Sequence, residues 1–190
     1  MQESKWIDTN RMAWSTGVYH ARCQEHGNPE DAAREMQADP EYFLRHFLHA
    51  LGPLEGCRVL NLLGSCARKA VPLALLGADV TVVDISEDNR RYAIETAEAA
   101  GVTIEFKVCD AMSFLSSIQD PAFDICLMEG GVLHYFQDLV PLFSGVRDVL
   151  EEEGRFVLHE FHPFRKLSHA GVDGYFDSEP HESPVPVRID

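Results

Sequence analysis

Gly64 and Asp84 are the first residues in the sequence whose types and spacing could carry chemistry. Gly64 lies in a turn after a near-continuous apolar run, and Asp84 follows twenty positions later at the end of a second apolar run. An acid at this distance from a glycine-bearing turn accepts hydrogen bonds from the hydroxyls of a bound ribose. The spacing therefore predicts a site for a dinucleotide or for an adenosyl cofactor.

The composition of the turn distinguishes between these two ligands. A dinucleotide site needs three closely spaced glycines that let the backbone approach a pyrophosphate, whereas the turn LLGSCA (residues 62–67) has one. A short-chain dehydrogenase would also carry a tyrosine with a lysine four residues further on, and no tyrosine in the sequence has one. Both observations disfavour a nicotinamide-dependent oxidoreductase and favour an adenosyl cofactor.

The elements that must position these residues alternate between strand and helix from residue 57 onward. The strands are predicted at CRVLNLLG, DVTVVDIS, TIEFKVCD, FDICLMEG and RFVLHEFH. Strict alternation predicts an α/β fold with a doubly wound, mostly parallel sheet and helices on both faces. A helix is predicted over residues 67–76 and another between its N-cap Ser86 and Gly101. The helical stripe of residues 136–154 is predicted to end in a solvated charge run, EEEG, before a turn.

Two flanking regions differ from this alternating core. The first 55 residues are predicted to be helical, with the clearest helix running from its N-cap Asp39 through Pro40 to Gly52. After Pro163, prolines and glycines predict loop or lid material with a short edge strand at residues 184–189. The predicted organisation within one compact domain is a helical lid (1–55), a cofactor-binding core (56–162) and an irregular C-terminal segment (163–190).

Five motifs occur in the order and spacing of one family of α/β proteins. The glycine turn keeps its register to the acidic strand end, and it is followed by VTVVDISEDNRRYAIETAEAAGV, VCDAMSF, FDICLMEGGVLHYFQDL and VLEEEGRFVL. On these motifs, residues 59–162 resemble the class I S-adenosylmethionine-dependent methyltransferases. The resemblance implies a Rossmann-like methyltransferase fold, S-adenosyl-L-methionine as cofactor and a small molecule as methyl acceptor. The family usually adds two further strands, which the segment after residue 162 is not expected to supply.

The resemblance also implies roles for the residues at the strand ends. Gly64 and Ser65 would approach the methionine moiety through their backbone groups, and Asp84 would bind the ribose hydroxyls. Asp110 would meet the adenine amine, and Glu129 would line the methionyl end. The full set of cofactor-binding residues implied in this way is Trp14, Leu62, Gly64, Ser65, Asp84, Ile85, Ser86, Asp110, Ala111, Glu129 and Gly130.

The turn departs from the first motif of the family, which reads V-L-D-x-G-x-G-x-G. Asn61 stands at the acidic position, and Leu63, Ser65 and Ala67 stand at the three glycine positions. Because each added side chain takes room beside the cofactor, a non-catalytic protein that binds S-adenosylmethionine or S-adenosylhomocysteine is the alternative function. The stretch LLGSCARKA also resembles a variant first motif of some bacterial methyltransferases, and we expect it to bind the cofactor.

Histidines are the candidate general bases. Methyl transfer is an in-line displacement at a sulfonium carbon, so the enzyme mainly positions the reactants and in some cases removes a proton. His134 after the fourth strand and His162 at the end of the fifth are the predicted catalytic residues, with His159 as a further candidate. Since His159 and His162 would point to opposite faces of a strand, no metal site is expected.

The composition restricts the partners. The net charge of −15, without any basic run, disfavours nucleic acid and anionic membrane surfaces. No apolar run approaches the roughly 20 residues of a membrane span, and the five cysteines form no CxxC pair. We therefore expect a cytoplasmic protein that acts on a small molecule, with neither nucleic acid nor membrane as partner, and a homodimer is left open.

Overall fold

Five parallel strands form one sheet. The computed structural model describes residues 11, 12, 14 and 17–161. The order across the sheet is β3-β2-β1-β4-β5, and each neighbouring pair is parallel. The order reverses between β1 and β4, where ligands of such sheets bind outside the carboxyl ends of the strands. The bounds are β1 (Arg58–Leu62), β2 (Asp79–Asp84), β3 (Glu105–Val108), β4 (Phe123–Glu129) and β5 (Leu150–His159).

Helices precede the sheet and connect its strands. Within residues 17–161, the helices before β1 are α1 (Val18–His26), α2 (Pro29–Ala38), α3 (Pro40–Leu44) and α4 (Leu48–Leu51). The four in the crossovers are α5 (Ala70–Leu75), α6 (Glu87–Ala99), α7 (Ala111–Ser117) and α8 (Leu139–Val149), and a 3-10 turn, Leu133–Tyr135, lies between β4 and α8.

Alternate residues of the strands pack into two separate apolar layers. Val59 and Val82 belong to the layer that contains buried side chains of α2, α5 and α6. Leu60 and Val83 belong to the opposite layer, with buried side chains of α7 and α8. Successive side chains of a strand point to opposite faces, so a continuous apolar run fills both layers. The predicted doubly wound α/β sheet with helices on both faces is confirmed.

Side-chain caps define where helices begin. The Ser86 hydroxyl oxygen accepts from the Asn89 N–H at 3.1 Å, which confirms the predicted start of α6. The segment between Asp39 and Gly52, expected as one helix, is instead the two helices α3 and α4. Between them, i→i+3 hydrogen bonds such as that from the Phe47 N–H to the Leu44 carbonyl (2.7 Å) tighten the chain.

Two further boundaries differ from the prediction. Helix α5 begins at Ala70 rather than at residue 67, because Ala67 has a φ of 64°, which no α-helix contains. Strand β5 begins at Leu150 rather than at Arg155, and it includes the acidic run that was predicted as the solvated end of the preceding helical segment. Phe123 pairs with Leu150 whereas Ile125 pairs with Arg155, so the intervening residues of β5 form a bulge.

Three predictions from the sequence stay predictions: the domain boundaries at residues 55 and 162, the homodimer and the cytoplasmic location. The irregular segment from residue 163, with its short strand at 184–189, lies outside the described residues. In the part of the chain that the structure describes, no helix combines the length and the apolar character needed to cross a membrane.

Candidate functional site

A cleft of about 1060 Å³ lies at the carboxyl ends of the strands. The turn after β1, the ends of β2 and β3 and the loop after β4 form its walls, which is where the fold predicts a ligand. Ten of the residues predicted to bind cofactor or to act as a base line this cleft: Trp14, Gly64, Ser65, Asp84, Ile85, Asp110, Ala111, Glu129, Gly130 and His134.

The other predicted site residues lie elsewhere. Leu62 is fully buried in the apolar layer beneath α7 and α8. Ser86 is buried too, and its hydroxyl donates to the Trp14 carbonyl oxygen while it caps α6. The ring of His159 does not line the cleft and packs edge-on against Phe47, with 5.5 Å between ring centroids. His162 lies outside the described residues.

The turn after β1 has the backbone of a glycine loop although it carries side chains. Leu63, Ser65 and Ala67, which occupy the three glycine positions of the motif, have φ angles of 53°, 49° and 64°. This left-handed conformation costs a residue with a side chain roughly 1–2 kcal/mol. The turn therefore carries backbone strain at three positions where the family motif has glycine.

Gly64 is needed for close packing rather than for a left-handed φ. A Cβ at this position would lie 2.6 Å from Oδ1 of Asn61 and 2.7 Å from Cγ1 of Val82. The Gly64 N–H donates to the Val83 carbonyl at 3.1 Å, which draws the turn onto β2. Asn61 is buried, and its Oδ1 has no hydrogen-bond partner among the described residues.

We expect both Ala67→Gly and Ala93→Gly to lower the free energy of unfolding. The loss for Ala67→Gly should be smaller by at least about 1 kcal/mol. Both alanines are fully buried, so each variant loses one methyl group, but Ala93 is inside α6 whereas Ala67 has a left-handed φ that glycine relieves. Urea titration of the two variants measures the difference. Equal losses would contradict the strain assigned to the turn.

The Asp84 carboxylate is held by three donors at the end of β2. The Ser86 N–H and the Asn89 side-chain amide donate to Oδ1 at 3.0 and 3.2 Å, and the Ser65 N–H donates to Oδ2 at 3.1 Å. Burial raises the pKa of Asp84, and these hydrogen bonds and the charge of Arg22 act in the opposite direction. Since a carboxylate can accept about four hydrogen bonds, Oδ2 keeps one acceptor site for a ligand.

Asp110 is placed at the neighbouring strand end. It caps α7, and its Oδ1 accepts from the N–H and the hydroxyl of Ser113 at 2.9 and 3.2 Å. Both of these bonds use Oδ1, so Oδ2 is the oxygen that a donor in the cleft can reach. Ala111, the first residue of α7, lines the cleft beside it.

The loop after β4 forms the opposite wall. Gly130 and Gly131 both have left-handed φ angles, of 91° and 80°, and the following residues form the 3-10 turn. The Glu160 carboxylate accepts from the Leu133 N–H at 2.8 Å, which ties this turn to the end of β5. His134 is exposed, and its ring lies 4.1 Å from that of Tyr135.

Comparison with known proteins gives the family. A family model for a methyltransferase domain matches residues 63–158, just over half of the chain, from the turn after β1 to near the end of β5. The chain belongs to this methyltransferase family. The identification made from the sequence motifs is confirmed, and the match does not favour the non-catalytic alternative.

Individual relatives support the same assignment. The methyltransferase is 31% identical over 102 residues to the uncharacterized methyltransferase YbaJ of Bacillus subtilis (strain 168), a match that covers 54% of this chain but only 39% of the relative. The PH0226 protein of Pyrococcus horikoshii OT3 is 31% identical, with a TM-score of 0.57 over 68% of this chain and 56% of that one. Magnesium protoporphyrin IX methyltransferase from Synechocystis PCC 6803, solved with bound S-adenosylhomocysteine, shares the fold at 18% identity, with a TM-score of 0.58 over 77% of this chain and 68% of that one.

Arg22 of α1 also lines the cleft, although it was not among the residues predicted from the sequence. Its guanidinium donates to the Ser65 hydroxyl at 3.1 Å and to the Asn89 side-chain oxygen at 3.2 Å, and it lies 5.8 Å from the centre of the Trp14 ring. Ser65 and Asn89 are two of the three residues that donate to Asp84. Arg22 therefore helps to position the Asp84 carboxylate, and no local pattern in α1 signals that role.

Cys66, the cysteine of the turn after β1, does not have the surroundings of a reactive thiol. All five cysteines are free, and Cys66 is buried. Burial raises the pKa of its thiol, so the thiolate is disfavoured. Within the described part of the chain, no three His, Cys, Asp or Glu residues lie together as a metal site would require.

Proposed function

We propose that the methyltransferase binds S-adenosyl-L-methionine in the cleft and transfers its methyl group to a small molecule. The observation that carries this proposal is the Asp84 carboxylate, which lies beside the turn after β1 with one acceptor site of Oδ2 remaining. Its other acceptor sites are filled by Ser65, Ser86 and Asn89. A ribose hydroxyl can therefore bind Oδ2 without displacing a protein donor.

The rest of the cofactor follows from this anchor. Adenine lies towards β3, between Ile85 and Ala111, with its amine at the remaining oxygen of Asp110. The methionyl end lies towards Glu129 and Gly130 on β4. All of these residues line the same cleft as Asp84, which supports one continuous binding mode from β3 to β4.

The acceptor is a small molecule that enters beside the loop after β4. The cleft volume of about 1060 Å³ is at the upper end of the roughly 300–1,000 Å³ found for small-molecule sites. It can therefore hold the cofactor and a modest acceptor. The net charge of −15 disfavours a nucleic acid as the acceptor.

Calorimetric titration of the full chain tests the proposal. We expect micromolar binding of S-adenosylmethionine and S-adenosylhomocysteine and no binding of NAD at the same concentrations. Failure of both adenosyl ligands to bind would overturn the proposal, and equal binding of NAD would mean that the cleft recognises adenosine alone.

The affinity for S-adenosylhomocysteine is expected to fall in acid. Ribose hydroxyls donate to the ionised Asp84 carboxylate, so binding requires the deprotonated form. Burial raises the pKa of this carboxyl, so the affinity is constant at neutral pH and starts to fall at a higher pH than an ordinary aspartate would give. Titrations from pH 7.5 downward measure this, with Asp84→Asn as a reference that lacks the inflection.

His134 is proposed as the general base. It lines the cleft in the loop after β4, on the side where the methyl group is transferred. His134→Ala should lower turnover by roughly 100-fold or more with the acceptor that screening identifies, while the affinity for S-adenosylhomocysteine stays unchanged. His49→Ala, on the exposed face of α4, is the matched control, and a fully active His134→Ala variant would exclude His134 as the base.

A further inference from the structure

Two cations that the cofactor assignment does not use, Arg68 and Lys69, lie in the cleft wall. They follow the turn after β1 and line the cleft opposite Glu129 and Gly131 of the loop after β4. Neither forms an ion pair with a carboxylate in the described part of the chain. Arg22, a third cation of the same cleft, does pair with Glu25 at 3.0 Å.

The surroundings of Lys69 make an unpaired cation costly. Its side chain is half-buried, and burial lowers the pKa of its ammonium group. The charge of Glu129 opposes this shift, whereas the charges of Arg68 and Arg45 add to it. Partly desolvated charges are stabilised by a counter-ion, and no carboxylate among residues 17–161 lies within ion-pair distance of Lys69.

Aromatic rings hold both cationic groups in place. The Arg68 guanidinium lies 5.0 Å from the centre of the Phe43 ring, and the Lys69 ammonium lies 5.8 Å from that of Phe47. Such contacts fix the position of a cation without neutralising it. The two groups are therefore pre-positioned and keep their hydrogen-bond donors for a ligand.

This arrangement contrasts with the rest of the molecule. The sequence has 31 acidic residues against 16 lysines and arginines, so the field of the whole protein repels anions. Most other described cations are paired with carboxylates, namely Arg22, Arg34, Arg58, Arg90, Arg91, Lys107 and Arg147. Although Asp84, Asp110 and Glu129 also line the cleft, Arg68 and Lys69 lie in its wall and can offset this repulsion locally for an anionic ligand.

We propose that Arg68 and Lys69 form an anion subsite that binds a carboxylate or phosphate group of the methyl acceptor. The inference rests on the proposed function, because it places this group beside the methionyl end of the cofactor. A planar guanidinium can bind two oxygens of the anion, and the ammonium adds a point charge. The acceptor is accordingly a small anion, and its methylated atom faces the loop after β4.

The anion that binds Arg68 and Lys69 could belong to the acceptor or to the cofactor, which has a carboxylate of its own. The first arm of the test distinguishes these two sources. S-adenosylhomocysteine and 5′-methylthioadenosine, which lacks the amino-acid portion, are titrated into Lys69→Met and Arg68→Gln. Lys107→Met and Arg90→Gln are the matched controls on exposed surfaces. We expect S-adenosylhomocysteine affinities within about twofold of the unmodified chain. A loss of about tenfold or more for S-adenosylhomocysteine alone would assign the subsite to the cofactor and overturn the proposal.

The second arm detects the anion directly. Lysines are reductively dimethylated with ¹³C, which keeps their charge, and the Lys69 resonance is identified by its absence in Lys69→Met. With S-adenosylhomocysteine bound, inorganic phosphate and then acetate are added at constant ionic strength. We expect a saturable shift of Lys69 but not of Lys107, with an affinity about tenfold or more weaker in Arg68→Gln.

The outcomes separate the two proposals. No saturable shift at Lys69 with either anion, or an equal shift at Lys107, would overturn the anion subsite even if S-adenosylhomocysteine binds as expected. A saturable shift at Lys69 in a chain that fails to bind S-adenosylhomocysteine would instead overturn the proposed function and leave the anion subsite standing.

Discussion

Asp84→Ala is expected to weaken S-adenosylhomocysteine binding about 10- to 100-fold, the equivalent of roughly 1–3 kcal/mol. The variant removes the acceptor for the ribose hydroxyls. It also leaves the donors of Ser65, Ser86 and Asn89 without their common partner, so the turn after β1 loses one of its hydrogen bonds to β2 and keeps the one from Gly64 to Val83. Calorimetry measures the affinity, and urea titration of the same sample measures the cost to the fold.

Two further variants identify the cause. Asp79→Ala removes a carboxylate from the exposed start of the same strand and should leave the affinity unchanged. Asp84→Asn keeps the size of the side chain but not its charge, so it should bind more weakly than the unmodified chain while keeping more stability than Asp84→Ala. Unchanged affinity in Asp84→Ala would remove this carboxylate from the ribose site.

Gly64→Ala is expected to lower the free energy of unfolding by about 2–3 kcal/mol. The added methyl group would lie 2.6 Å from Oδ1 of Asn61 and 2.7 Å from Cγ1 of Val82, both of them buried side chains, so close-packed neighbours would have to shift. Because the φ of Gly64 is not left-handed, the loss comes from overlap alone. Urea or thermal unfolding of the purified variant measures it.

A double variant separates this overlap from a general effect of the turn. Val82→Ala by itself should destabilise by creating a cavity, but in Gly64→Ala it removes one of the two atoms in the way. The combined loss should then be clearly smaller than the sum of the single losses. Strict additivity would show that the methyl group of residue 64 does not meet Val82.

Local signals account for the parts of the fold that the sequence predicted. Each of the five predicted segments contains a strand, and the apolar runs of β1, β2 and β4 are mostly buried, as expected for strands covered on both faces. Ser86 is followed by acidic residues and an amphipathic segment, and it caps α6 as expected. The strand-end residues of the cleft follow from the topology, because parallel strands with alternating helices present their carboxyl ends at one edge.

The missed features depend on contacts between distant residues. Arg22 is 43 residues from Ser65 and 67 from Asn89, and nothing in α1 alone points to them. The bulge in β5 depends on how Phe123 and Ile125 pair with that strand, which residues 151–154 do not indicate. Leu63, Ser65 and Ala67 are a different case. Their left-handed φ angles could not be predicted, because residues with side chains rarely adopt this conformation.

The fluorescence of Trp14 can report ligand binding in the cleft. Its indole lines the cleft, the Arg22 guanidinium lies 5.8 Å from its ring centre, and the Ser86 hydroxyl fixes its carbonyl. The sequence contains two tryptophans, so in a Trp6→Phe background all of the indole emission comes from a wall of the ligand site. A ligand that displaces water from this wall changes the polarity around the indole, and the fluorescence of the chain then reports occupancy without any label.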